Sequence, residues 1–321
     1  MIRALLIGCG NIGGGYDFND PQKVWTHAKA YSLHKGIELT VYDQEKEKAI
    51  QIADKYNARV LEQITDDSFS AYQIVSITTP TPTHFTYLQK ALQAKVAVVI
   101  CEKPIVDKTE HLTQLQDLYL SSSSKVLVNY IRRFQPGYKK AKLKILQLRQ
   151  EQVLCGVIVK YKRGFLNNAS HAIDLLQFIF DVPFELKGFQ QITSTFDVFN
   201  YDPTITGSCL YLDCPVSFAG MANISYPVFE IELFFSASKV VICHSGDEIR
   251  YYKEKSGDWC EITEERQSRL LEKYMVPVIG TAVDLSHGVG EDNFKSSLEI
   301  NKAVLNIIEP LKKKSNATFS N

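Results

Sequence analysis

A chain of 321 residues, 45% of them hydrophobic, is long enough for two domains of ordinary size with substantial cores. Its 36 basic and 36 acidic residues cancel to a formal net charge of zero, which excludes a whole-molecule attraction to nucleic acid or to an anionic membrane. No apolar run approaches the roughly 18 residues of a membrane span. The seven scattered cysteines contain no CxxC pair, so neither a zinc site nor a disulfide framework is expected.

In chain order, residues 2–7 form a short, nearly continuous apolar run, the pattern of a parallel strand covered on both faces. Similar runs recur at 37–42, 74–78, 96–101 and 126–131, with helical spacing between them, as in Ala49, Ile52, Ala53 and Tyr56. Strands alternating with helices predict an α/β domain with a doubly wound parallel sheet over residues 1–133. The remainder, 134–321, reads as an α+β domain. A helix near 138–150 precedes period-2 alternation at 156–163 and at 229–235, where Phe229, Ile231, Leu233 and Phe235 alternate with Glu230 and Glu232. Short strands are expected near 208–213, 217–224, 239–243 and 248–252, covered by a helix over 172–180. That much sheet with an open face predicts pairing with another subunit. A last helix over 297–311 turns Ile300, Val304, Leu305 and Ile308 inward. The run Lys312-Lys313-Lys314 reads as a solvated helix end, and the tail beyond it as frayed.

Two constellations carry chemistry. The first is Gly8-Cys9-Gly10-Asn11-Ile12-Gly13, a GxGxxG directly after the first strand, with Asp43 closing the second. Gly8 permits the tight turn, Gly10 lets backbone approach a pyrophosphate, and Gly13 allows close helix–strand packing. Asp43 can accept both ribose hydroxyls and would repel a 2′-phosphate, and Gln44 and Glu45 offer no arginine to neutralise one. NAD is therefore expected over NADP. The segment Gly14–Pro21 is irregular: Pro21 interrupts any helix begun at Asn11, and Asp43 falls beyond the usual spacing of ~20 residues. It reads as an insertion, either a loop near the cofactor or a plain surface excursion.

The second constellation lies at the ends of later strands. Thr78, Thr79, Pro80 and His84 follow the run at 74–78 and are expected to line the cofactor. Glu102, Lys103 and Pro104 follow the run at 96–101, where ligands of such sheets bind. In the second half, His171 and Asp174 share one helix face. Histidine can exchange a hydroxyl proton near neutral pH, and a lysine can polarise the same oxygen. A structural histidine and an ordinary helix carboxylate remain the alternatives.

With these residues in place the chain resembles the Gfo/Idh/MocA oxidoreductases over nearly its whole length, most specifically in Glu102-Lys103-Pro104, and also in Gly8–Gly13, residues 129–136, His171 and Asp174. The resemblance implies a Rossmann domain that binds nicotinamide dinucleotide and a second domain built on a large open antiparallel sheet, often buried in dimers or tetramers. It also implies hydride transfer at a hydroxyl-bearing carbon of a sugar or cyclitol, with Lys103 and His171 as the family lysine and histidine and Asp174 beside them. One departure is Asn167, where many members carry an aspartate. An asparagine holds a hydroxyl but accepts no proton, which moves acid–base work to His171. The Asn-Asn-x-Ser-His pattern is similar to members acting on nucleotide sugars in surface-polysaccharide biosynthesis. Arg163, Asn167 and Asn168 are the candidate substrate contacts. The glycine-rich stretch usual before this segment is reduced to Gly164.

The expectation is a cytoplasmic, metal-free, NAD-dependent oxidoreductase with a small sugar-like substrate, a homodimer or homotetramer with neither nucleic-acid nor membrane partner. A reducing compartment follows from the cysteines, and the strand starting within two residues of Met1 leaves no room for a leader. Two other readings remain: an NAD-dependent glycosidase using transient oxidation, and a non-catalytic regulator sensing dinucleotide or sugar on the same fold.

Overall fold

The computed structural model describes residues 1–318, with side chains through Lys312. The side chains of Lys313 and Lys314, and residues 319–321 of the expected frayed tail, lie outside that description.

Six strands build the first sheet: β1 (Ile2–Ile7), β2 (Ile37–Tyr42), a two-residue β3 (Arg59–Val60), β4 (Ile74–Ile77), β5 (Val98–Cys101) and β6 (Lys125–Val128). All pairs are parallel, in the order β3-β2-β1-β4-β5-β6. Every residue of β4 and β5 is buried, as are Ala4 through Ile7 of β1. Helices on both faces leave such strands no solvated side, which is why they read as unbroken apolar runs. The connecting helices are α1 (His27–Ser32), α2 (Lys46–Tyr56), α3 (His84–Gln93) and α4 (Thr109–Ser121). Strand order reverses between β1 and β4, and the carboxyl ends there open a crevice.

The segment after the glycine turn is a tied loop. A five-residue wide helical turn, Asn11–Gly15, stops at once, and α1 starts only at His27 after its Thr26 N-cap. Asp17 closes the excursion. Its carboxylate, 1% exposed, accepts from the backbone N–H of Trp25 (2.5 Å) and Thr26 (3.0 Å) and from the Thr26 hydroxyl (2.7 Å). Val24 N–H donates to Glu272 O (2.9 Å), Met275 N–H donates to Val24 O (3.2 Å), and Trp25 stacks on Tyr274.

The second sheet has eight strands, preceded or interrupted by α5 (Pro136–Glu151) and α6 (Ser170–Phe180). They are β7 (Leu154–Tyr161), β8 (Gln190–Thr195), β9 (Thr204–Tyr211), β10 (Cys214–Gly220), β11 (Phe229–Phe235), β12 (Ser238–Cys243), β13 (Glu248–Lys255) and β14 (Asp258–Glu261). Their order is β14-β13-β12-β11-β7-β10-β9-β8. Only β7 and β10 pair in parallel, so the sheet is mainly antiparallel. The alternation holds: Phe229, Ile231, Leu233 and Phe235 are buried, while Glu230, Glu232 and Phe234 on the other face are half-exposed. The inward face meets an aromatic cluster in which Phe165 contacts Tyr161 and Phe218, and Phe184 stacks on Tyr211 at 4.2 Å. β8 at the edge is exposed throughout, and its polar sequence Gln190-Gln191-Ile192-Thr193-Ser194-Thr195 carries no core pattern.

Two helices close the chain, α7 (Met275–Ser286) and α8 (Phe294–Thr318). Contacts divide the protein into one unit of residues 1–134 with 272–299 and another of 135–271 with the remainder. This differs from the expected partition at 133/134, which placed 272–299 in the second domain. Met275, Val278, Ile279 and Ala282 of α7 join the same core as Ala4, Leu6, Ile100 and Leu127. A helical pattern records that a face is apolar but not which sheet it covers. On α8, Ile300, Val304, Leu305 and Ile308 are buried as expected.

Asp17→Ala should strand the buried Thr26 N–H and hydroxyl and the partly buried Trp25 N–H. The expected loss is about 2–3 kcal/mol, read from the urea midpoint. An unchanged midpoint would show that the excursion is not held by this carboxylate.

Candidate functional site

The carboxyl ends of β1, β2 and β4 surround a cavity of about 270 Å³. Gly8, Gly10, Asp43, Gln44, Glu45, Thr78, Thr79 and Pro80 line it, together with Tyr42, Lys48 and Tyr87, which sequence reasoning missed. The glycine turn is shaped by one close approach: a Cβ on Gly13 would sit 2.1 Å from Gly8 O, so no larger residue fits there. Gly10 faces open space, with nothing within 4 Å of where a Cβ would be. Thr78 ties the turn to β4 by donating its hydroxyl to Gly8 O at 2.6 Å. Asn11, exposed, opens the wide turn and Ile12 is half-buried behind it; Tyr16 N–H donates to Asn11 O at 2.9 Å.

Asp43 is fixed by backbone. Its Oδ2 accepts Cys9 N–H at 2.6 Å and its Oδ1 accepts Glu45 N–H at 2.8 Å. Each oxygen keeps lone-pair capacity for a ribose hydroxyl. Among the described lining residues the one cation, Lys48, is paired with Glu45 at 2.6 Å. That hydrogen bond raises the Lys48 pKa. The wall therefore presents two carboxylates and an engaged lysine, a charge balance that suits hydroxyls better than a phosphate. The open glycine at the turn and the oriented acid together fit a dinucleotide.

Glu102 and Lys103 stand at the end of β5. Glu102 is 8% exposed; its Oε1 accepts from His27 Nε2 at 3.0 Å and from Asn129 Nδ2 at 2.6 Å. Burial alone would raise its pKa. The His27 hydrogen bond and charge, Asn129 and the Lys103 ammonium outweigh burial, and the carboxyl lies below its ordinary value. Asn129 Oδ1 is buried with no hydrogen-bond partner among the described residues. Lys103 is half-buried and precedes a cis peptide to Pro104. His84, expected among the cofactor contacts, is 1% exposed and does not line the cavity. Its Nδ1 lies 2.9 Å from Pro104 O and its Nε2 2.8 Å from Thr79 O, so the ring staples the turns after β4 and β5 together. His27 carries no local sequence signal because its partner is 75 residues away.

In the second unit, Gly164 (φ +86°) opens a second wide turn, Phe165–Ala169, which runs straight into α6. Asp202, fully buried and missed from sequence, accepts the N–H groups of Leu166 and Asn167, each at 2.8 Å. A Cβ on Gly164 would lie 2.0 Å from Asp202 Oδ2. The turn sets out the candidate substrate contacts. Arg163 is exposed with φ +63°, and Asn167 is half-buried. Asn168 spends its amide on Lys162 O at 2.6 Å, which leaves its carbonyl oxygen for a ligand. His171 is half-buried, edge-on to Phe229 at 6.3 Å. Asp174 is 1% exposed and lies past the first turn, because α6 begins at Ser170.

Among the described residues, Cys243, His244 and Glu248 place ligand atoms within 4.8 Å of one another. Glu248 is already engaged by Arg250 Nε and, at 2.9 Å, by Arg266 Nη2. Two guanidiniums on its one carboxylate oppose a cation.

Residues 2–130 match the model of the Gfo/Idh/MocA oxidoreductase family, described as having an NAD-binding Rossmann fold. The chain is 30% identical over 111 residues to UDP-N-acetylglucosamine 3-dehydrogenase of Acidithiobacillus ferrooxidans, covering 35% of this chain and 34% of that protein. It is 30% identical over 138 residues to inositol 2-dehydrogenase of Rhizobium meliloti, covering 43% and 38%. These matches span little more than a third of the relatives' length. A crystal structure of the Acidithiobacillus enzyme superposes with TM-score 0.71 at 17% identity, over 96% of each chain. The whole chain shares that fold, a Rossmann unit followed by a unit with a large, mainly antiparallel sheet.

Burial lowers the His84 pKa from its ordinary 6.5, against the two carbonyls and Glu102. The unfolded chain therefore takes up this proton first as pH falls. The stability linked to His84 is full above about pH 6.5 and is lost as pH drops through the lowered folded value. His84→Asn should flatten the fall in melting temperature between about pH 7.5 and about pH 5.5. The same slope in both proteins would contradict this.

Proposed function

We propose that the protein is an NAD-dependent dehydrogenase or reductase acting on a hydroxyl-bearing carbon of a sugar, cyclitol or nucleotide sugar. The observation that carries the reading is one sheet edge bearing a glycine cradle, a backbone-oriented Asp43 and the Glu102-Lys103-Pro104 turn. Similarity to a nucleotide-sugar dehydrogenase and to an inositol dehydrogenase supports the substrate class. Surface-polysaccharide biosynthesis is the setting that such a nucleotide sugar would suit.

NAD, when bound, supplies the hydride acceptor or donor. Gly8, Gly10 and Gly13, with Asn11 and Ile12, hold the pyrophosphate by backbone, and Asp43 holds the ribose hydroxyls. Thr78, Thr79 and Pro80 form the wall toward the ring. Lys103 Nζ donates a hydrogen bond to the substrate oxygen and stabilises negative charge developing on it. A His171 ring nitrogen takes the hydroxyl proton during oxidation and returns it during reduction, with Asp174 on the same helix face as the assisting carboxylate. Arg163, Asn167 and Asn168 donate to or accept from substrate hydroxyl or phosphate oxygens.

The open face of the second sheet is the proposed contact with a second copy, as a homodimer or homotetramer. Leu210 is 68% exposed there, and Lys160 ties Glu230 and Glu232 together on the same face. No helix among the described residues is long and apolar enough to cross a membrane. The proposed compartment is the cytoplasm, on the ground of seven cysteines that are all unpaired.

Thermal shift should show NAD stabilising the protein more than NADP does. With a substrate drawn from a panel including UDP-N-acetylglucosamine and myo-inositol, Lys103→Ala and His171→Ala should each lower turnover by about 10²–10³-fold. Full turnover in both variants would overturn the assignment. Light scattering should report two or four chains per particle, and a monomer would remove the sheet-face contact.

A further inference from the structure

The loop of residues 196–203, between β8 and β9, is locked to the turn that carries Arg163 by buried polar groups. Asp202 Oδ1 accepts Leu166 N–H and its Oδ2 accepts Asn167 N–H. Two residues on, the Thr204 hydroxyl accepts Gly164 N–H at 2.9 Å and donates to Asp197 Oδ1 at 3.2 Å. Asp202 and Thr204 are both buried. Arg163 and Gly164 are consecutive residues with positive φ, +63° and +86°. A non-glycine residue keeps such a backbone only where its surroundings hold it.

This frame sets out three side chains that touch in series. The Arg163 guanidinium lies over the Phe199 ring, 5.8 Å from its centroid, and Phe199 meets Tyr201 at 5.5 Å with the rings tilted by 40°. Arg163 and Tyr201 are exposed, and Phe199 between them is half-buried. Among the described residues Arg163 forms no ion pair, and a cation–π contact leaves its N–H donors for an anion. The nearby carboxylates are engaged. Asp202 is shut in with its two N–H groups, and Asp197 takes the Thr204 hydroxyl and, at 3.4 Å, Asn223 N–H. Polyol hydroxyls need acceptors as well as donors. A cation and two rings are instead the complement of phosphates joined to a flat base.

We propose that Arg163, Phe199 and Tyr201 form a nucleoside diphosphate site. The Arg163 guanidinium donates to the diphosphate oxygens, and the base lies against Tyr201, which Phe199 supports. The substrate is then a nucleotide sugar, neither a free sugar nor a cyclitol. That last step rests on the dehydrogenase reading above; the binding of the nucleotide does not.

The test is isothermal titration with UDP, TDP, CDP and GDP, in protein saturated with NAD so that the glycine cradle is filled. At least one of the four should bind. Tyr201→Leu should weaken that binding about tenfold or more, and Tyr201→Phe, which keeps the ring, should not. Arg163→Gln should weaken it by a similar factor. Both side chains are exposed, so the variants should keep the wild-type melting temperature. Failure of all four nucleotides to bind overturns the proposal, and so does binding that either Tyr201→Leu or Arg163→Gln leaves unchanged. Turnover of free myo-inositol without nucleotide binding would keep the dehydrogenase and reject this site. Nucleotide binding lost in both variants, with no hydride transfer to or from any sugar of the panel, would keep the site and reject the dehydrogenase.

Discussion

Everything at the carboxyl edge of the first sheet depends on β1 and β4 lying side by side with almost nothing between the turns that follow them. Gly13 packs where a Cβ would overlap Gly8 O, and Thr78 caps the same carbonyl with its hydroxyl. That closeness leaves Gly10 facing open space and brings Asp43 of the neighbouring strand within reach of Cys9 N–H. A larger residue at Gly13 would move the turn, and the acid would lose one of its two backbone anchors. The cradle, the acid and the strand order are one packing arrangement.

The edge is then organised by buried polar side chains that act as struts. His84 spans the turns after β4 and β5, Glu102 gathers α1 and the end of β6, and Asp17 folds the excursion after the glycine turn back on itself. Each is nearly inaccessible to water, so a missing partner would leave a desolvated group at a cost of kilocalories. Such networks restrict the backbone to one arrangement more effectively than apolar contacts, because hydrogen bonds demand distance and angle. The proposed hydride transfer would need that restriction, since small displacements of reacting groups reduce rate steeply.

The second unit applies the same device. Asp202 holds the turn that presents Arg163, Asn167 and Asn168, and Gly164 is the residue that lets the two segments meet. Asp202 approaches the turn from the loop before β9, where it accepts backbone N–H groups ahead of α6. An acid working through backbone, remote in sequence from the residues it arranges, makes a site rigid without being part of the chemistry.

The periodicities of the chain alone identified the parallel sheet, save for the two-residue β3, and the second sheet, save for β8 and β14 at its edges, because burial on two faces or on one writes itself into local sequence. The glycine fingerprint and Glu102-Lys103-Pro104 were legible as short local motifs, and Asp43 as the acid that ends the second strand, although Cys9, His27 and Asn129, which hold these acids, lie 27 to 75 residues from them. Tertiary structure alone decided that α7 covers the first sheet, that His84 staples two turns without lining the cavity, and that His27, Asn129, Asp17 and Asp202 matter at all. Their partners lie from 8 to 75 residues away or on other elements. A hydrogen bond between distant residues leaves no period in the sequence, so only the fold that brings its ends together reveals it.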